Sequence, residues 1–177
     1  MLMQRYHDTE WGVVTANDRI LFEFLVLESA QAGLSWRTVL HKRENYRKAF
    51  ADFDPEKVAR FTQRKVATLL ADSGMIRNRA KIEAAINNAR FFLKIQKEYG
   101  SFAAYSAQFI QGKKIRHTIR KLSDFPVTIG EAIAFAADLK KRGFKFLGPT
   151  VIYAHMQAVG MVDDHMVGCF RYANKKI

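Results

Sequence analysis

Apolar residues recur at helical spacing over most of this chain, and no stretch alternates convincingly as a strand. The longest apolar stripe runs from Asn78 to Tyr99. Residues that cap helices well, such as Ser35 and Thr62, stand where stripes begin. The pattern predicts an all-α protein.

The chain length of 177 residues fits one helical domain over residues 1–177, either as a single body or as two lobes flanking a pocket. Residues 1–15 are predicted to be irregular, and residues 111–124 are interpreted as a basic connector. Thr128 and Glu131 have the spacing of a capping box, so the next helix is predicted to begin there.

Residues 140–169 predict a helix, a tight turn, a second helix, a turn and a third helix, with the hairpin at residues 139–160. Gly148 leaves the backbone accessible, Pro149 suits the first helical position, and Thr150 follows in the first turn. A helix N-terminus preceded by lysines can bind an anion. On spacing alone, an ordinary helical hairpin with solvated lysines explains the pattern equally well.

The charge balance points to a polyanionic partner, because the formal net charge is +12 and the pI is about 10.0. Such a charge also serves solubility. The single cysteine, Cys169, excludes an intramolecular disulfide and a four-cysteine iron–sulfur cluster. No apolar run reaches membrane-spanning length and the first residues do not form a signal peptide, so we expect a soluble intracellular protein.

Several residues admit two interpretations from the sequence alone. Glu28 stands among apolar residues, and spacing favours an outward position because an unpaired buried carboxylate is costly. Tyr6, Trp11 and Trp36 are each more typical of a core than of a binding site. Leu34, between two small residues on a predicted loop, is either a commonplace surface leucine or a wedge for a base stack.

His165 and Cys169 stand four residues apart, which puts them on one face of the predicted third helix. This spacing can hold a metal ion, with His7 as a distant third ligand, but it also arises often by chance. Asp163 and Asp164 are good helix N-caps in their own right.

Four stretches together resemble the DNA-3-methyladenine glycosylase I family: YHDTEWGV, LESAQAGLSWRTVLHKRENYRKAF, GMIRNRAKIEAAINNAR and KKRGFKFLGPTVIYAHMQAVGMVDDHMVGC. The resemblance implies a helix-hairpin-helix DNA glycosylase fold with its two termini close together. It implies removal of 3-methyladenine from alkylated double-stranded DNA by a bacterial enzyme. From it we expect a monomer in the cytoplasm, associated with the nucleoid and not with a membrane.

The resemblance also implies which residues form the site. Its base pocket falls on Glu28, Tyr6 and Trp36, with Trp11 nearby, and these residue types suit a flat cationic base. The residues implied to contact DNA come from the predicted turn at residues 31–34 and from the hairpin: Gly33, Leu34, Lys145, Phe146, Gly148 and Thr150.

Two motif positions bear on the chemistry that the resemblance implies. The wider superfamily carries a catalytic aspartate after the hairpin, where this chain has Asp163, so Asp163 is either a working carboxylate or a cap. Members that also cut the strand carry a lysine where this chain has Thr150. We therefore expect a monofunctional enzyme that leaves an abasic site.

The family resemblance further implies a structural zinc ion that ties the two ends of the chain together. His7, His165 and Cys169 match three of its ligands, and the fourth, a cysteine very near the N-terminus, is absent from this sequence. Either the true start lies upstream, or another group or water completes the tetrahedron, or no metal binds; we expect zinc.

Three other functions compete with this interpretation. A non-catalytic DNA-binding module would use the hairpin but leave Glu28 and the aromatic residues unexplained. The positive charge would suit a basic RNA-binding or ribosome-associated protein, but this sequence lacks a disordered basic tail. A metal-dependent hydrolase built on His165 and Cys169 lacks a nearby HExxH motif.

Overall fold

The computed structural model describes residues 1–172 and confirms the prediction of a mainly helical fold. The predicted domain also included residues 173–177, which lie outside the described part. None of the described helices is both long and apolar enough to cross a membrane. The helices are α1 Leu2–Thr9, α2 Asp18–Gln31, α3 Trp36–Ala49, α4 Pro55–Ala59, α5 Gln63–Ala71, α6 Arg79–Tyr99, α7 Phe102–Ala107, α8 Gly130–Lys141 and α9 Pro149–Ala158.

Helix α2 lies at the centre of the core, since every residue from Leu21 to Ala30 is buried. It packs against α3, α6 and α9. Asn17 caps the helix, since its side chain accepts hydrogen bonds from two backbone N–H groups of the first turn. A helix buried on all sides must present its polar residues to specific partners or to a site.

Two predictions near helix starts are wrong. Residues 2–9 form α1 although only Tyr6 is buried there, so no apolar stripe marked it. Helix α8 begins one residue later than the predicted capping box, with Ile129 as its N-cap and no side-chain cap bond. With Ile129 as the N-cap, the third helical position is taken by the fully buried Ala132, whereas the capping box needed Glu131 there. The burial of Ala132 therefore decides where the helix begins.

The predicted third helix after Gly160 is also wrong. Residues 162–163 instead form a short strand β2, which pairs in parallel with β1 at residues 115–116, and a further bridge joins Ile119 to Met166. The basic connector therefore pairs with backbone N–H and C=O groups of the segment after Gly160, which a helix would have paired within itself. These short strands were not predicted, since two residues are too few for an alternating pattern.

The hairpin between α8 and α9 occupies residues 142–148. Gly143 follows the end of α8 at φ +100, as predicted for a helix stop, and Gly148 and Pro149 hold the predicted first positions of α9. Two asparagines of α6 fasten the hairpin. The Asn87 amide donates to the Gly143 carbonyl oxygen at 2.8 Å, and Asn88 exchanges two hydrogen bonds with the backbone of Lys145.

Gly160 provides a test of how tightly the N-terminal segment packs on α9. It has φ +77, and a Cβ there would lie 2.5 Å from the Val14 nitrogen and 2.6 Å from the Val13 carbonyl carbon. We expect Gly160→Ala to lower the free energy of unfolding by about 2–4 kcal/mol, from left-handed strain plus the backbone clash. Urea denaturation measures this change.

The control for that experiment is Gly130→Ala at the first position of α8, where an added Cβ meets nothing within 4 Å. Its stability should stay within about 1 kcal/mol of wild type, or rise. Equal losses for both variants would contradict the close packing of Gly160 on the N-terminal segment.

Candidate active site

An aromatic cleft of about 440 Å³ lies between α1, the start of α3 and the loop after β2. Tyr6 and Trp36 face each other in it, with ring centroids 5.3 Å apart and an interplanar angle of 51°. Trp11 lines the same cleft. The Trp36 indole Nε1 is buried and has no hydrogen-bond partner among the described residues, so it is a donor that a ligand can satisfy.

The Trp36 ring is supported from behind by a charged network that the sequence did not reveal. Phe24 stacks beside Trp36 with centroids 6.4 Å apart, and the Arg43 guanidinium lies 5.2 Å from the centre of the Phe24 ring. Arg43 is itself buried and donates to Glu23 at 2.7 Å and to Glu10 at 2.6 Å. Nothing in the local sequence around Arg43 indicates that it supports an aromatic ring.

Glu28 is buried in α2, with 5% of its surface exposed, so the outward position that spacing favoured is wrong. Helix α2 has no solvent-facing side at this point. No hydrogen bond to its carboxylate is found among the described residues, and burial raises the pKa of Glu28 to about 8. Burial, and next the negative charge of Glu28, raise the pKa of Tyr6.

Glu28 opens onto a smaller depression of about 230 Å³ beside the aromatic cleft, rather than onto the cleft itself. The other walls of this depression are the turn with Gly33 and Leu34 and the first residues of α9. Gly33 has φ +80, and Leu34 is 43% exposed at the tip of the turn. Glu28 thus lines a depression beside the Gly33–Leu34 turn, and its charge affects the pKa of Tyr6.

His7, His165 and Cys169 come together although the helix predicted for the last two is absent. One ligand atom from each lies within 4.8 Å of the others, and the His7 Nε2 to Cys169 Sγ distance is 3.5 Å. A tetrahedral zinc ion with ordinary bond lengths to nitrogen and sulfur requires roughly 3.6 Å between such atoms. The donor set therefore fits zinc.

Both histidines of this cluster are oriented by carboxylates. His165 Nδ1 lies 2.8 Å from Asp163 Oδ1, and His7 Nδ1 lies 2.8 Å from Asp8 Oδ1. With Nδ1–H donated, each ring has its Nε2 lone pair free, as metal ligation requires. The Nε2 of His165 is buried and unpartnered among the described residues.

Asp163 is not a helix cap, because no helix follows it, and it does not line the aromatic cleft. Burial opposes its ionisation, but the hydrogen bond from His165 and the charge of Lys114 lower the pKa of Asp163. Asp164 lines the cleft instead. It accepts hydrogen bonds from Tyr153, from Gln157 at 2.5 Å and from His117 at 2.6 Å.

The predicted DNA-contacting residues of the hairpin lie on the surface. Lys145, Phe146, Gly148 and Thr150 are all exposed, and the first turn of α9 has free N–H groups beside Thr150. Phe146 has φ +58, an unusual conformation for a residue other than glycine.

A family model described as methyladenine glycosylase matches residues 1–172. This chain belongs to that family. Among the glycosylase's relatives, DNA-3-methyladenine glycosylase 1 of Escherichia coli strain K12 is 46% identical over 171 residues, 97% of this chain and 91% of that protein. The DNA-3-methyladenine glycosylase of Haemophilus influenzae is 44% identical over 164 residues, 93% of this chain and 89% of that protein.

Solved structures agree with the fold of the glycosylase. A crystal structure of 3-methyladenine DNA glycosylase I has a TM-score of 0.94 at 46% identity, covering 97% of this chain and 94% of that one. The Staphylococcus aureus enzyme, solved to explain 3-methyladenine recognition, has a TM-score of 0.92 at 39% identity, covering 95% and 89%. The predicted family and helical fold are confirmed.

The pKa of Glu28 leads to a test of its burial in this glycosylase. An unfolded glutamate titrates near pH ~4.3, whereas the folded protein holds the Glu28 proton up to about pH 8. The free energy of unfolding should therefore fall as the pH rises between these values. Glu28→Gln cannot ionise, so it should match wild type near pH ~5 and exceed it near pH ~8.5, by up to about 4 kcal/mol.

Urea denaturation of both proteins at the two pH values measures this difference. The matched control is Glu131→Gln, at an exposed position on the surface of α8. A stability difference between Glu28→Gln and wild type that does not change with pH would contradict the burial of an unpaired carboxylate.

Proposed function

We propose that this glycosylase extrudes 3-methyladenine from alkylated double-stranded DNA and hydrolyses its N-glycosidic bond, leaving an abasic site. The observation that carries the proposal is Glu28, a buried carboxylate that has no hydrogen-bond partner within residues 1–172 and whose charge raises the pKa of Tyr6. Glycosylase variants with a tyrosine or a glutamate substituted have been solved, one of them with 3-methyladenine. The two substituted positions have the same separation along the chain as Tyr6 and Glu28.

Glu28 distinguishes the damaged base from normal adenine by charge. N3-methylated adenine in DNA is cationic, and a cation about 5 Å from the carboxylate interacts by roughly 3 kcal/mol at an effective dielectric constant of about 20. That energy is worth about a hundredfold in affinity, and neutral adenine does not receive it. The carboxylate also accepts a hydrogen bond from the exocyclic amino group, and the rings of Tyr6 and Trp36 add stacking and cation–π attraction.

The positive charge also makes the chemistry easy. When water attacks the sugar carbon, the electron pair of the glycosidic bond moves onto the base, which leaves neutral, and the attacking water releases one proton to solvent. No strong general acid is needed, and the oxygens of Asp164 are already engaged by three donors. With Thr150 in place of a lysine, no amine attacks the sugar, so the enzyme acts as a monofunctional glycosylase.

DNA engagement uses the exposed turn and hairpin on either side of the Glu28 depression. The N–H groups at the start of α9 and the charge of Lys145 hold the phosphate backbone. Leu34, on its left-handed glycine turn, fills the gap left by the extruded base, which costs a few kcal/mol to unstack. The enzyme works on DNA as a monomer.

A zinc ion bound by His7, His165 and Cys169 ties α1 to the loop that lines the aromatic cleft. Its role is structural, because it holds Tyr6 and Trp11 against that loop. Asp163 and Asp8 orient the two histidine ligands. A fourth ligand, from the protein or from solvent, completes the tetrahedron.

Base release from methylated DNA tests the proposed function. We expect wild type to release 3-methyladenine and Glu28→Gln to lose about tenfold to hundredfold in kcat/KM, the worth of one charge-assisted hydrogen bond. Glu131→Gln should retain full activity. Salt-sensitive duplex binding without base release would instead identify a non-catalytic DNA-binding module, and full activity of Glu28→Gln would remove Glu28 from the mechanism.

Metal analysis tests the zinc proposal. Purified wild type should contain about one zinc ion per chain, and Cys169→Ser and His165→Ala should contain almost none and melt at lower temperature. His41→Ala, an exposed histidine of α3 outside the cluster, should keep its zinc. A wild-type protein that lacks zinc and is not stabilised by added zinc would contradict this proposal.

A further inference from the structure

The turn between α2 and α3, at residues 31–35, carries Gly33 and Leu34 but has no buried residue to hold it in place. Gln31 is half-buried, and residues 32–35 are all exposed. A Cβ added to Gly33 would meet nothing within 4 Å, so no other element presses on the turn at that point. Because apolar contacts are lacking, hydrogen bonds must fix the position of this turn.

Lys81 of α6 supplies such hydrogen bonds from outside the turn. Its ammonium group donates to the Ala30 carbonyl oxygen at 2.9 Å and to the Ala32 carbonyl oxygen at 2.5 Å. The two carbonyls lie at the end of α2 and just after it, where a helix leaves oxygens without internal partners. Within residues 1–172, no other side chain from outside this segment bonds to its backbone between residues 30 and 34.

The place of Lys81 in the chain is explained by α2 and not by its own helix. Lys81 stands in the first turn of α6, where the Asn78 side chain accepts a hydrogen bond from its backbone N–H at 3.1 Å. A cation is unfavourable at this end of a helix because of the macrodipole, and the first turn of α6 contains no acid. The ammonium group instead meets the carbonyl end of α2, where the dipole favours positive charge.

From these contacts we infer that Lys81 is a positioning residue for base release from duplex DNA. Its ammonium group fixes the Ala32 carbonyl, and with it the turn that presents Leu34 to the space of the extruded base. The inference rests on the proposed function, in which Leu34 fills that gap. A turn that is already ordered loses less conformational entropy when DNA binds, so its preorganisation speeds the reaction on the duplex.

A direct contact with a DNA phosphate is the other role for a lysine at this surface. It fits less well, because two of the three N–H donors of Lys81 are already used by carbonyls and the side chain is half-buried. The two roles also predict different salt dependences. Each phosphate contact adds to the slope of duplex binding against salt, whereas a positioning residue leaves that slope unchanged.

Single-turnover base release from methylated duplex DNA tests the inference. Lys81→Met nearly keeps the side-chain length but removes the donors, and we expect it to lower the rate constant about tenfold. Lys81→Arg keeps the charge and the N–H donors, and it should stay within about threefold of wild type. The matched control is Lys97→Met, which removes an exposed lysine from the last turn of the same helix and should react as wild type does.

A double-mutant cycle with Leu34→Ala shows whether Lys81 acts through the turn. Leu34→Ala should slow base release by itself, and the addition of Lys81→Met should slow it by no more than about a further twofold. Quenching of tryptophan fluorescence measures binding of the free base 3-methyladenine, which should be unchanged in Lys81→Met. Duplex binding by Lys81→Met should keep the wild-type salt slope.

Losses that multiply in the double variant would overturn the inference, because Lys81 would then act independently of Leu34. A salt slope smaller by about one in Lys81→Met would assign Lys81 to a phosphate and overturn it as well. Weaker binding of the free base would do the same, since Lys81 would then support the base pocket. Full activity of Lys81→Met would refute only this inference, whereas a wild-type protein that releases no base would refute the proposed function and this inference with it.

Discussion

The structure depends on a carboxylic acid that is buried in its central helix and has no partner among the described residues. Ten consecutive residues of α2 are buried, so Glu28 cannot turn to solvent, and its pKa is raised to about 8. An ionised carboxylate in that position is stabilised only by a ligand that brings positive charge or hydrogen-bond donors. Under the proposed function, a cationic 3-methyladenine would provide both, and the stability lost in the empty protein would be recovered as selectivity for the damaged base.

Around this acid, the aromatic rings are held in place by contacts from several distant parts of the chain. Phe24 and Arg43 support Trp36 from one side, and the His7–His165–Cys169 cluster holds α1, with Tyr6, against the loop after β2. The connector reinforces that loop through the short parallel strands. A flat slot must be held to within fractions of an ångström, and these interactions from distant parts of the chain provide that rigidity.

Local signals in the sequence predicted the local parts of this structure. The caps at Ser35 and Thr62 and the stripe of α6 depend on neighbouring residues only, and they are found where expected. The errors concern partners far along the chain. Glu28 faces inward because other helices surround α2, and residues 161–169 avoid a helix because the connector pairs with them.

In the candidate site, too, the residue types could be predicted from the sequence, whereas contacts between distant residues could not. The types of the pocket residues and their family resemblance identified Glu28, Tyr6 and Trp36, but spacing could not reveal that Glu28 opens onto a separate depression. The role of Asp164, which spacing suggested only as a cap, depends on Tyr153 and His117, and no local pattern links those residues. Such networks need the coordinates of the folded chain.

The most direct measurement is the titration of the Glu28 carboxyl by carbon-detected NMR, in the protein alone and with duplex DNA that carries an uncleavable cationic analogue of 3-methyladenine. The account predicts a pKa near 8 in the free protein and a large fall once the cation is bound. A pKa close to that of an ordinary glutamate in the free protein, or no change on binding, would contradict it.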